Sequence, residues 1–154
     1  MRIIKYSTLL DENKKTVLVK EDSNNYPSVD DLSSPEKIVD VLNHAYKANR
    51  QTEEHTWLVA LTTKCKPIGL FEISHGTVNL SPVSPREIFV KLCLCGAACF
   101  VIAHNHPSGD TTPSSQDIAT TNNIAKVGEM MGIELLDHII IGDNFYSFKE
   151  HNGL

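Results

Sequence analysis

Residues 104–117 read HNHPSGDTTPSSQD, a short stretch holding two histidines, two aspartates and three serines. In an extended chain His104 and His106 project to the same side, because side chains alternate with a period of two. Ser114 and Asp117 are three apart, which makes them neighbours on the first turn of a helix. If the first pair ends a strand and the second opens the next helix, two imidazoles and the Asp117 carboxylate can converge on one point. An N/N/O set of three protein ligands leaves the fourth tetrahedral position for water, the layout of a catalytic zinc. The same residues have a plainer reading. Ser-x-x-Asp after a proline is an ordinary helix start, with its acid well placed against the helix dipole, and paired histidines in a loop are often only solvated. The order of the elements around them decides between the two, and it favours the site.

The sequence before His104, ACFVIA, is a nearly continuous apolar run, suited to a strand buried on both faces. Pro107 ends it, and Ser108–Gly109–Asp110 turns the chain. A helix follows from Pro113 to Gly132, and IELLDHIIIG and NFYSFKE read as two further strands. Upstream, RIIKYSTLL and KKTVLVKED flank DEN as a hairpin, and DSNNYPSVDDLSS is a polar connector. Ser34 before Pro35 marks a helix start, and Ile38, Val41, Leu42 and Ala45 give that helix one apolar face. TWLVALTT and IGLFEIS are strands joined by a turn at Lys64–Pro67, and HGTVNLSPV is a glycine-marked connection. Ser84 and Glu87 have capping-box spacing around Pro85. Ile88, Leu92, Cys95 and Cys99 then continue one helical stripe, so CLCGAAC is read as core and not as a zinc knuckle. The organisation is α/β, with residues 1–30 as hairpin and connector and 31–154 as the main domain of one compact unit.

A chain of 154 residues can bury a core without disulfide staples. With 41% hydrophobic and 21% charged residues it has the composition of an ordinary globular protein. A formal charge of −5 argues against a broad electrostatic grip on nucleic acid. No signal peptide and no membrane-length apolar run is visible. A reducing cytoplasm with free thiols is therefore expected for its four cysteines.

The stretch from His104 to Asp117 resembles the His-x-His-Pro and Ser-x-x-Asp signature of the JAB/MPN metalloenzyme domains, with seven residues between His106 and Ser114. GTVNLSPVSPREIF, VIAHNHPSGDTTPSSQD and GIELLDHIIIG resemble the RadC-like branch of that family closely. The likeness covers about residues 35–154. It implies a cytidine-deaminase-like α/β fold, a three-layer mixed sheet flanked by helices. It also implies one zinc per chain held by His104, His106 and Asp117, with Ser114 steadying the tetrahedral intermediate and an upstream glutamate as base. EHTW matches the family pattern best with Glu54 in that role. Glu53, facing the opposite way in an extended chain, is the alternative. Glu87 is taken by its capping box, and Glu72 lies within a strand. His138 is expected to be a hydrogen-bonded core histidine and Asp110 a structural turn residue, neither a ligand.

The activity so implied is that of a zinc-dependent hydrolase of JAMM type, a metallopeptidase or isopeptidase acting on a peptide or isopeptide substrate. Two other classes compete with it: a nucleic-acid factor of DNA repair or mobile elements, and a zinc-stabilised interaction domain without turnover. The helix-hairpin-helix region often found ahead of the catalytic domain in RadC-like proteins is not recognised here, which weakens the first of these. A zinc nucleobase deaminase is excluded, since it needs Pro-Cys-x-x-Cys and this chain has none.

Overall fold

The computed structural model describes residues 1–26, 29–76 and 83–154. The HGTVNLSPV connection falls mostly on 77–82, and part of the polar connector on 27–28, outside the described residues. The described strands are β1 (Arg2–Leu10), β2 (Thr16–Asn25), β3 (His55–Leu61), β4 (Pro67–His75), β5 (Cys99–Asn105), β6 (Glu134–Ile141) and β7 (Phe145–Ser147). The helices are α1 (Pro35–Tyr46), α2 (Pro85–Cys95) and α3 (Ser115–Met131), with a 3-10 turn at Ala48–Arg50. All seven strands form one mixed sheet in the order β2-β1-β4-β3-β5-β6-β7.

Period-two alternation divides the core into two layers. Trp57, Val59 and Leu61 of β3, with Val101 and Ala103 of β5, pack beneath Ile38, Val41 and Leu42 of α1. Leu58 and Ala60, with Phe100 and Ile102, face the other way, against Ile88 and Leu92 of α2 and Ile124 of α3. The result is helix, sheet, helix. Every residue of β5 is buried, as a strand covered on both faces requires. His104 continues the Phe100–Ile102 row toward α3. On α3 the buried residues are Asp117, Thr121, Ile124 and Gly128, a single stripe at helical spacing. Gly128 lets that helix close on the chain behind it, since a Cβ there would lie 2.6 Å from the Ile133 carbonyl oxygen.

The N-terminal hairpin extends the same sheet. β1 runs parallel to β4 through Lys5↔Leu70 and Tyr6↔Phe71, and Ile3 is buried in the α1-side core. Among the described residues no helix is long and apolar enough to cross a membrane.

Three local expectations are corrected. β2 continues to Asn25, into the segment read as a polar connector, because pairing with β1 as far as Arg2↔Asn25 overrides its polarity. The capping box at Ser84 does not form: Ser84 is the N-cap without a side-chain bond, and the Glu87 carboxylate lies 3.8 Å from Lys91 one turn on. Cys99 is not on the helix. Gly96, at φ 68°, takes the left-handed conformation that ends α2 at Cys95, so the apparent continuation of the stripe is a coincidence of spacing. Cys99 opens β5 instead, buried there as a small hydrophobe. All four cysteines are free.

Candidate metal centre

The end of β5 and the start of α3 meet where the two hydrophobic rows turn polar. Ser114 is the N-cap of α3, and its hydroxyl accepts from the Asp117 amide at 3.1 Å. In return the Asp117 carboxylate accepts from the Ser114 amide at 2.8 Å and from its hydroxyl at 2.6 Å. This reciprocal box fixes the direction of the carboxylate. His104 Nε2 lies 3.2 Å from Asp117 Oδ1, and His106 Nε2 lies 3.6 Å from Oδ2. The two Nε2 atoms are 3.0 Å apart. Ligands about 2.0–2.1 Å from a tetrahedral zinc stand about 3.3 Å from one another, and the observed separations bracket that value. The three residues form a set able to hold a metal ion, the single one found among the described residues.

The donor chemistry fits a cation. His106 Nδ1 is 2.7 Å from the Asp110 carbonyl oxygen, which can only accept, so that nitrogen carries a proton. In the neutral ring Nε2 is then a bare lone pair. It meets a second imidazole nitrogen and a carboxylate, an arrangement that calls for a proton or a metal between them. The Asp117 hydrogen bond, opposed by burial, raises the His106 pKa above its ordinary 6.5. Burial pushes the Asp117 carboxyl up, but its polar contacts with His104, His106 and Ser114 outweigh it and hold the group well below the usual carboxylate range. Asp117 is therefore an anion at neutral pH.

Around this cluster the structure places the remaining candidates. Glu54 lines a pocket shared with Thr56, Ile102, His104, Asp117 and His138. β3 and β5 pair antiparallel with Thr56 opposite His104, so the residue two positions before Thr56 reaches the same end of the sheet as His106. Glu53 is exposed and its carboxylate lies against Gly76. Glu72 bonds to His55 Nδ1 at 2.8 Å, away from the cluster. Asp110 turns its carboxylate to the Thr112 amide at 2.9 Å and hydroxyl at 2.7 Å. Ser114 is close by, yet its hydroxyl proton is committed to Asp117.

Two features escaped sequence reasoning. Buried Asn105 points to the face opposite the histidines, donates to the Glu53 carbonyl at 2.9 Å and accepts from the His55 amide at 2.7 Å. It thus clamps the backbone on both sides of Glu54. Its position between the two histidines was the one available signal. The other is Thr121, one turn beyond Asp117 on the buried stripe of α3, whose hydroxyl oxygen is 2.6 Å from His138 Nδ1. His138 is in turn 2.8 Å from His104 Nδ1 through its Nε2. Burial, then the neighbouring His104, hold the His138 pKa well below 6.5, so it is a neutral member of a hydrogen-bonded chain.

A three-layer α/β/α domain with this topology and a His-His-Asp cluster at the end of a central strand has the architecture of the JAB/MPN fold. Residues 32–154 match the family model described as RadC-like JAB domain. The chain is 48% identical over 124 residues to a UPF0758 protein of Clostridium perfringens, covering 80% of this chain and 54% of that one. It is 40% identical over 128 residues to a UPF0758 protein of Pelobacter propionicus, covering 82% and 55%. A UPF0758 protein of Desulforudis audaxviator is 46% identical over 101 residues, 66% of this chain and 44% of the other. The chain belongs to the RadC-like JAB domain family. It spans about half the length of these curated relatives.

Proposed function

We propose that the chain is a zinc-dependent hydrolase of JAMM type that cleaves peptide or isopeptide bonds. The observation carrying this reading is the convergence of two Nε2 atoms and one anionic carboxylate, with Glu54 on the adjoining pocket. His104, His106 and Asp117 would hold the zinc. When bound, the ion supplies Lewis-acid polarisation of the scissile carbonyl and activation of a water molecule. Hydrolysis adds water across the C–N bond, its oxygen going to the carbonyl carbon, and Glu54 would accept a proton from that water and return it to the departing nitrogen. Asn105 keeps Glu54 over the site by gripping its backbone neighbours. Ser114 would serve the developing oxyanion only after its proton leaves Asp117, so its first duty is to aim that ligand. A reducing cytoplasm suits the four free cysteines.

The test is Glu54→Gln in the zinc-loaded protein, set against a survey of peptide and isopeptide substrates. Glutamine keeps the reach of the side chain and loses the proton acceptor. Zinc content is expected to stay at the wild-type level while cleavage falls by about 10²-fold or more. Unchanged cleavage would remove Glu54 as the base and turn attention to Glu53. Loss of the zinc would make Glu54 a ligand or a support.

A further inference from the structure

We infer that Thr121 sets the direction of a buried hydrogen-bond chain through His138, and thereby presents His104 to the metal as an Nε2 lone pair. This deepens the metal-site reading and rests on it. Thr121 Oγ is 2.6 Å from the Asp117 backbone carbonyl oxygen. That oxygen has no proton to give, so the single hydroxyl proton of Thr121 lies between them. Thr121 has then only a lone pair for His138 Nδ1, 2.6 Å away, and the proton of that contact belongs to His138. The other nitrogen of a neutral His138, Nε2, is accordingly an acceptor. Its partner at 2.8 Å, His104 Nδ1, must donate. A His104 that spends its proton on Nδ1 has an unprotonated Nε2, the atom turned toward His106 and Asp117.

Reversing any one link reverses all of them. If His138 carried its proton on Nε2, His104 Nδ1 would become the acceptor and the His104 proton would move to Nε2, where it blocks the metal. The direction originates in a helix carbonyl that can never donate. The chain also begins and ends on ligands, since Asp117 supplies the first acceptor and His104 is the last donor. His138 is held for this task by a near-parallel stack on Phe148, with centroids 4.9 Å apart and planes 7° apart. Partners of this kind typically change metal affinity by about 10–100-fold when removed. Thr121 and His138 are positioning residues, acting only through His104.

The experiment uses the full chain with ring-¹⁵N-labelled histidine. Nitrogen shifts of the metal-free protein report the tautomer of His138, and zinc titration reports affinity. In the wild type His138 is expected as the Nδ1–H tautomer. Thr121→Val, which matches threonine in shape but has no hydroxyl, should move His138 toward Nε2–H and weaken zinc by about 10-fold or more. Thr121→Ser should restore both readouts. His138→Phe should weaken zinc while keeping the stack on Phe148. His138→Gln, whose amide oxygen and nitrogen can accept and donate like the two ring nitrogens, should recover part of the affinity. An Nε2–H tautomer in the wild type overturns the inference, as does zinc affinity unchanged in both Thr121→Val and His138→Phe. A wild type that binds no zinc but shows the Nδ1–H tautomer overturns the metal reading and leaves the hydrogen-bond direction standing. Because the tautomer is read in the wild type, the inference stays falsifiable even if Thr121→Val does not fold.

Discussion

Asp110 and Asp117 bear the same functional group, and their hydrogen bonds assign them different work. The exposed Asp110 carboxylate is held by the Thr112 amide and hydroxyl, while its backbone oxygen orients His106. Asp117 is buried, boxed by Ser114 and aimed at both histidines. Asp117→Asn should lower zinc affinity sharply, since it removes the anionic member of the set, and Asp110→Asn little, since the carbonyl that orients His106 is untouched. Competition with a chromophoric chelator measures both, and equal losses would show that the third ligand is misassigned. The proton in the cluster sets a pH dependence. The raised His106 pKa stabilises the metal-free fold fully below 6.5, and that contribution is lost as pH rises through the raised value. The depressed Asp117 pKa stabilises it above 3.8, lost as pH falls through the lowered value. The metal-free protein should therefore hold its highest melting temperature between these limits and lose stability on the alkaline side. Zinc affinity should do the reverse, rising as pH climbs past the His106 value, because no proton then has to be displaced. Melting and titration series across pH check both signs. At this scale a linear motif singled out the histidines and Asp117, which the structure brings together as a possible metal set, and the family likeness offered Glu54, which lines the adjoining pocket. It offered Asn105 only as the neighbour of two histidines and Thr121 not at all, because their contacts exist only once β3 lies beside β5 and α3 beside β6.

At the scale of elements, Ser84–Glu87 and Ser114–Asp117 have the same spacing, and only the second forms a capping box. A long glutamate has Lys91 one turn away to answer it. The shorter Asp117 is held close to its N-cap and faces two imidazoles. Spacing announced both helix starts correctly, and the third dimension decided which side chains closed. The box at α3 has two duties, capping the helix and aiming the Asp117 carboxylate at the two histidines. Ser114→Ala should therefore lower stability by about 1 kcal/mol and weaken zinc binding too. Ser84→Ala, which removes no cap bond, should do neither. Urea denaturation of the metal-free proteins, paired with zinc titration, separates the two effects. Boundaries such as the end of α2 were less legible than the element types. The apolar period of the helix runs on through Cys99, and Gly96 alone marks the break.

For the molecule as a whole, the site occupies one end of the central strands and the N-terminal hairpin one edge of the sheet. The hairpin is joined there by packing as well as pairing. Tyr6 stacks on Phe71 with centroids 5.7 Å apart, and a Cβ at Gly69 would lie 2.5 Å from the Tyr6 ring. Gly69→Ala should displace Tyr6 and cost about 1–3 kcal/mol, with zinc affinity unchanged because β3 stands between β4 and the ligand strand. Urea denaturation and zinc titration of this variant test whether edge and centre are energetically separate. The alternation of apolar residues made the two-layer core legible from sequence. Nothing in it showed that β1 would lie parallel to β4, since a two-residue ladder leaves almost no pattern.

The order of β5, α3 and β6 along the chain has a consequence for biosynthesis. His104, His106, Ser114 and Asp117 leave the ribosome within one short stretch, after Glu53, Glu54 and β3 have been made. His138, 34 positions beyond His104, comes later, on a strand that adds to the edge of β5 before β7 pairs with it in turn. A nascent chain made only through α3 thus has His104, His106 and Asp117 but not His138, the hydrogen-bond partner of His104. On the proposed metal reading, an ion bound at that stage would lack the His138 contact to His104 and should be held more weakly than in the finished fold.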